Sequence, residues 1–143
     1  MANSIARLAF TAGMIFMFAG MVQAEEGMHH GGMHMDEEMA RQHRMMGMYA
    51  LTQAKIAGAL DKGDAATVAT ETRKLLASIP DLKKAKPHKN QKDRKTYTKI
   101  ASAFEGDIKT TAVLAKKGNF PGAKTAFAKA QKRCDECHAK FRD

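Results

Sequence analysis

Cys134-Asp135-Glu136-Cys137-His138 closes a stretch whose apolar spacing decides the fold. Working back from it, Phe141, the Cys137–His138 pair, Cys134, Ala130, Phe127 and Ala123 recur in steps of three or four residues. That is the period of one helix face, so the two thiols and the imidazole are predicted to point inward from a last helix opened by Pro121. The pentapeptide itself has the form C-x-x-C-H, the attachment pattern of a c-type haem. Its thiols add across the porphyrin vinyl groups as thioethers, and the histidine can then ligate the iron through a ring nitrogen. Two plainer readings use the same residues. A redox or structural disulfide would leave His138 idle, and a zinc site would need ligands beyond two cysteines.

The other end of the chain bears on compartment. Arg7 precedes an uncharged, almost wholly apolar run from Leu8 to Val22, and Val22-Gln23-Ala24 ends in small residues before Glu25-Glu26. This is the pattern of a secretory signal peptide, residues 1–24, cleaved after Ala24. The run is short for a membrane span of about 20 residues, so cleavage is expected rather than anchoring. No later stretch is apolar enough to insert, and the exported product should be periplasmic. The chain carries 24 Lys+Arg against 15 Asp+Glu, a net charge of +9, of which Arg7 is lost with the leader. Nucleic acid is not expected for an exported protein, which leaves acidic protein faces or anionic membrane surfaces as partners. Trp is absent and aromatic residues are few, which suits a core completed in part by a cofactor.

Residues 25–36 include Gly27-Met28-His29-His30-Gly31-Gly32-Met33-His34-Met35. With almost no aliphatic content, this segment is expected to be flexible. Its imidazoles and thioethers are copper-type ligands, so metal binding through His29, His30 and His34 is a separate reading.

The rest, residues 37–143, reads as helix. Asp36 can cap a first helix with Glu37 and Glu38 in its opening turn. Met45, Met48, Tyr49, Leu51, Ile56 and Leu60 supply its apolar period, and Lys62-Gly63 ends it. Asp64 caps a second helix with Val68, Leu75, Leu76 and Ile79 buried and Pro80 as its stop. Leu82–Lys95, rich in lysine, reads as a long connection: a solvated loop, or a docking patch for an acidic redox partner. A third helix runs from about Thr96 to Lys117, with Tyr97, Ile100, Phe104, Ile108, Ala112 and Ala115 on its apolar face, and Gly118-Asn119 closes it. No strand period occurs. The expected fold is all-α: an antiparallel up-down-up-down four-helix bundle with one covalent haem c in its core.

Taken together, the leader, the four amphipathic helices and Cys134-x-x-Cys137-His138-x-x-Phe141-Arg142 near the C-terminus resemble the class II cytochromes c, the cytochrome c′ family. The resemblance spans Met39 to Asp143. It is joined by Arg41-Gln42 early in the first helix, Lys62-Gly63-Asp64 at the first turn and Phe104 on the third helix. A Trp often found before that Phe in relatives is missing here. The resemblance implies that Cys134 and Cys137 hold the haem and that His138 is its proximal ligand. It also implies that Phe141 packs near the porphyrin, with Arg142 near a propionate or paired with a surface carboxylate. Many relatives pair through their first two helices, so a homodimer is among the expectations.

In that family the first helix covers the opposite face of the haem. A methionine there gives a low-spin, six-coordinate electron carrier, whereas an apolar residue leaves iron open to nitric oxide or carbon monoxide. This chain offers Met39, Met45, Met46 and Met48, any of which can equally be pliable core filler. The Arg-Gln-x-x-Met pattern selects Met45; counting back from Lys62-Gly63 brings Met48 or Met46 nearest. Met45, with Met48 one turn on, is the expected sixth ligand. No catalytic acid–base pair is evident, so the expectation is a single-electron carrier rather than an enzyme.

Overall fold

The computed structural model describes residues 37–142. The leader, the His/Met-rich segment 25–36 and the Asp36 cap lie outside the described residues. Four helices follow in order: α1 Glu37–Lys62, α2 Ala65–Lys84, α3 Arg94–Lys116 and α4 Phe120–Phe141. No strand occurs among the described residues.

Each boundary has a local cause. Gly63 takes φ +68°, a left-handed conformation that a Cβ would strain, and Asp64 N–H then bonds back to Ala59 O at 2.9 Å. Asp64 caps α2, accepting the Thr67 N–H at 3.0 Å and the Thr67 hydroxyl at 2.6 Å. These bonds hold its carboxyl below the usual carboxylate range. Gly118, at φ +74°, ends α3, and Asn119 accepts the Gly122 N–H at 2.9 Å to cap α4 beside Pro121.

Three expectations are corrected. Pro80 does not stop α2, which continues to Lys84. Ile79 and Leu82 are both buried on this final stretch. The Tyr97 hydroxyl donates to Leu82 O at 3.0 Å, and the Arg94 guanidinium donates to the Lys83 and Ala85 carbonyls at 2.6 Å each. These contacts from α3 outweigh the missing N–H of the proline. The connection is accordingly shorter, residues 85–93, and α3 starts at Arg94 because Asp93 caps it through the Thr96 N–H. Leu51 is 69% exposed rather than part of the core. Its neighbours Tyr49, Ile56 and Leu60 define the buried face, and Leu51 lies two residues from Tyr49, about 200° around the helix.

The core joins all four helices. Ile56, Val68, Leu75, Ile79 and Ile108 are almost wholly buried, each stabilising the fold by about 1.5–3 kcal/mol. Thr72 and Thr111 are buried too, and each satisfies its hydroxyl on a carbonyl four residues back, at 2.7 and 2.8 Å. Tyr49 stacks near Phe104 (5.8 Å between centroids), and Tyr97 meets Phe141 edge-on at 5.3 Å. Extensive interfaces link α3 to α4, α3 to α2 and α2 to α1, whereas α1 meets α4 over a small area.

Candidate functional site

Where α1 and α4 fail to close, a cavity of about 620 Å3 opens, lined by side chains from all four helices and the segment 85–93. From α4 it receives Cys134, Cys137, His138 and Phe141, with Arg142 just beyond the helix end. The spacing explains the convergence: Cys137 and His138 are three and four residues past Cys134, one helical turn on the same face. Phe141 is buried one turn further, against Tyr97. Tyr97, Ile100, Ala101 and Phe104 of α3 contribute an apolar wall, and Leu82 and Pro87 extend it.

Electrostatically the interior is neutral. Burial pushes the Cys134 thiol up to about 11, partly offset by the Gln53 amide, which donates to Sγ at 3.8 Å. Burial, aided by Glu136, also raises Cys137. Both cysteines are free thiols. Burial of both disfavours the thiolate that disulfide exchange requires. Burial, with the Arg142 charge nearby, lowers His138 below the ordinary histidine value, favouring the neutral imidazole that ligates metals. Tyr49 and Tyr97 are raised to about 12, chiefly by burial. Tyr97 donates to Leu82 O, and Tyr49 accepts from the Ser78 hydroxyl at 3.0 Å.

The first-helix methionines divide between two cavities. Met45 and Met48 line a second one, of about 540 Å3, between α1 and α2, alongside Glu38, Arg41, Ser78 and Asp81. The Met48 sulfur there accepts the Thr52 hydroxyl at 3.5 Å. Met46 instead lines the cavity that holds Cys134, Cys137 and His138. One residue is about 100° of helix rotation, enough to move a thioether from the α2 side to the α4 side. The sequence pattern had pointed to Met45 and Met48; the structure brings neither to the C-x-x-C-H cavity.

Sequence reasoning also missed Gln42, His43, Gln53 and His88. Gln42, Met46, Tyr49 and Gln53 fall on one face at steps of four, three and four, and all line the cavity. Centring the helix period on Tyr49 rather than on the methionines finds that face. Nothing local marks His88, which reaches the cavity from the segment 85–93. Arg142 lines the cavity and makes no ion pair among the described residues, whereas neighbouring Arg133 is held by Asp107 at 3.4 Å and Glu136 at 3.2 Å.

No protein-family profile, curated protein or solved structure matches this chain. Among the described residues, no helix is long and apolar enough to cross a membrane, and no three His, Cys, Asp or Glu side chains are grouped to hold a metal ion.

Proposed function

We propose that this chain is a periplasmic single-haem c-type cytochrome of the class II kind, an antiparallel up-down-up-down bundle that carries single electrons between larger redox proteins. The observation that carries the reading is the meeting of Cys134, Cys137 and His138 in one largely apolar cavity of about 620 Å3, within the 300–1,000 Å3 typical of cofactor sites. The residues present fit a haem: two thiols one turn apart, a neutral imidazole, aromatic walls and a few polar groups at the solvent side.

In this reading Cys134 and Cys137 would hold the group through thioethers and His138 would ligate its iron. Phe141, Tyr97 and Phe104 exclude water, and Gln53 orients the Cys134 sulfur. When bound, the haem supplies one-electron chemistry at its iron. Met46 is the first-helix thioether on the right side to complete the coordination, taking the role that the sequence pattern assigned to Met45 or Met48. The lysine-rich stretch from Leu82 to Lys95 contains Pro87 and His88, which line this cavity, and that supports an acidic partner docking near it.

The test is the exported holoprotein. Haem that stays with the polypeptide on a denaturing gel, and is lost in Cys134→Ala and Cys137→Ala, is the expected result. Low-spin spectra in both oxidation states are expected as well. The ferric sulfur-to-iron band should vanish in Met46→Leu and survive in Met45→Leu and Met48→Leu. A polypeptide without covalent haem overturns the reading. A high-spin ferric spectrum with ready carbon monoxide uptake replaces the electron carrier with a gas-binding protein.

A further inference from the structure

One helix of the bundle differs from the other three on its outer side. Among the described residues, α1 exposes Glu37 and Asp61, α2 exposes Asp81, and α4 exposes Asp135 and Glu136, whereas α3 exposes no carboxylate. Its own two are half-buried and already paired, Glu105 with Lys83 and Lys109 at 2.6 Å each and Asp107 with Arg133 at 3.4 Å. The outer face of α3 is instead cationic. Lys95, Lys99, Lys109, Lys116 and Lys117 are exposed there, with Val113 among them at 52% exposure. These six fall within about 100° of the helix circumference and form a row about 33 Å long. Within that row only Lys109 makes an ion pair among the described residues.

The composition of this row does not suit a specific protein interface. Such interfaces are enriched in aromatic residues and arginine and depleted in lysine, and the row holds lysine alone around one valine. A lysine ammonium is a hydrated point charge on a long flexible stem, able to settle among mobile phosphates without a fixed partner geometry. Val113, exposed between Lys109 and Lys116, adds an apolar contact of the kind that enters a headgroup layer. The export proposed above brings the chain to a membrane surface, where anionic lipids attract clustered lysines. We propose that the outer face of α3 docks this protein on anionic phospholipid headgroups, with the helix lying along the membrane plane. The docking does not depend on the haem reading. Its consequence for the cavity follows from the helix period. Tyr97, Ile100 and Phe104 line the cavity from the side of α3 roughly opposite the lysine row. A molecule resting on α3 therefore keeps the cavity turned away from lipid, toward a redox partner.

The experiment is sedimentation of the exported protein with vesicles of phosphatidylglycerol and phosphatidylcholine in equal parts, and with vesicles of phosphatidylcholine alone. One variant carries Lys99→Gln, Lys116→Gln and Lys117→Gln. A control carries Lys55→Gln, Lys129→Gln and Lys132→Gln, which removes the same charge from α1 and α4. All six lysines are exposed and make no ion pair among the described residues, so equal urea midpoints are expected for the two variants. Wild type and control should bind the anionic vesicles and not the neutral ones. The α3 variant should bind roughly a hundredfold more weakly, since each lysine at such a surface contributes about fivefold. Binding should also fall as added salt screens the lysines. Val113→Glu puts a carboxylate inside the row, should weaken binding too, and gives a readout if the triple variant does not fold. Absence of binding by wild type, equal loss in the α3 variant and the control, binding unchanged at high salt, or Val113→Glu bound as tightly as wild type each overturns the proposal. So does an α3 variant that keeps its lipid binding and loses capture by an acidic protein, which would assign the face to a protein partner. Covalent haem is read from the spectrum of the same protein, so failure of the docking and failure of the haem reading are distinguishable.

Discussion

Replacing Pro80 with alanine should make this protein more stable. Pro80 lies inside α2 on its exposed side, four residues before the helix ends at Lys84. There it cannot donate to Leu76 O, and its ring crowds that carbonyl. A helix-interior proline costs about 3 kcal/mol relative to alanine, a value measured against the coil and so already including the stiffer unfolded chain. Part of that cost has been relieved by local adjustment, which leaves a gain of roughly 2 kcal/mol in Pro80→Ala. For a domain of this size that raises Tm by roughly 8–12 °C. The check is urea and thermal unfolding of wild type and variant at equal haem loading, because a bound group shifts apparent stability by itself. A higher urea midpoint with an unchanged m-value is expected. An unchanged or lower midpoint would refute the reasoning: it would mean that α2 ends at Ile79 in solution and that Leu82 is not held as the structure has it.

Arg94→Ala should destabilise by about 2 kcal/mol, since it removes two charge-assisted bonds to the end of α2 and a guanidinium lying 5.0 Å from the Tyr97 ring centroid. Arg94→Lys should recover less than half in urea titrations, lacking the planar fork. Asn119→Ala should cost about 1 kcal/mol by exposing the first turn of α4, read as a lower thermal midpoint. Glu105 is held by Lys109 and Lys83, each at 2.6 Å, and these bonds lower its carboxyl from 4.5 to about 2. Its folded value lies below its unfolded one, so its contribution is full above pH 4.5 and is lost as pH falls toward 2. Glu105→Gln should therefore be less stable than wild type at neutral pH, by about 1 kcal/mol after allowance for solvent screening. The difference should vanish near pH 2, as followed by Tm against pH.

Local chemistry made most of the fold legible. Gly63 and Gly118 mark turns because their backbones need positive φ, and Asp64 marks a helix start because its carboxylate meets N–H groups within the next turn. What failed to show was set by distant residues. Pro80 is a sound stop on local grounds, and only Tyr97 and Arg94, contacting Leu82, Lys83 and Ala85 from α3, reverse it. In the candidate site, Cys134, Cys137, His138 and Phe141 were legible because one helix carries them all at helical spacing. Which first-helix methionine faces that cavity was not, because choosing among Met45, Met46 and Met48 means fixing the rotation of α1 to within one residue. Tyr49 fixes it, but a run with apolar side chains at 45, 46, 48, 49 and 51 spreads over too much of the helix circumference to reveal a single buried face.

That rotation decides more than a ligand. Because α1 rests broadly on α2 and only slightly on α4, the side of α1 turned toward α4 is free to carry function rather than packing. Its residues there are Gln42, His43, Met46, Ala50 and Gln53, with Tyr49 alone among them buried. A helix packed to close the bundle would place Leu or Ile at such positions; here they carry two amides, an imidazole, a thioether and one alanine. Meanwhile α3 and α4, joined over the most extensive interface, carry the aromatic wall and Cys134 and Cys137. On the proposed haem reading the labour would be divided: α3 and α4 would grip the planar group, and the side chains of α1 would set what reaches its other face. Turning α1 by one residue would keep a thioether at that face, Met45 in place of Met46, but would replace the Gln42 and Gln53 amides by Arg41 and Thr52, without disturbing Cys134, Cys137 or His138.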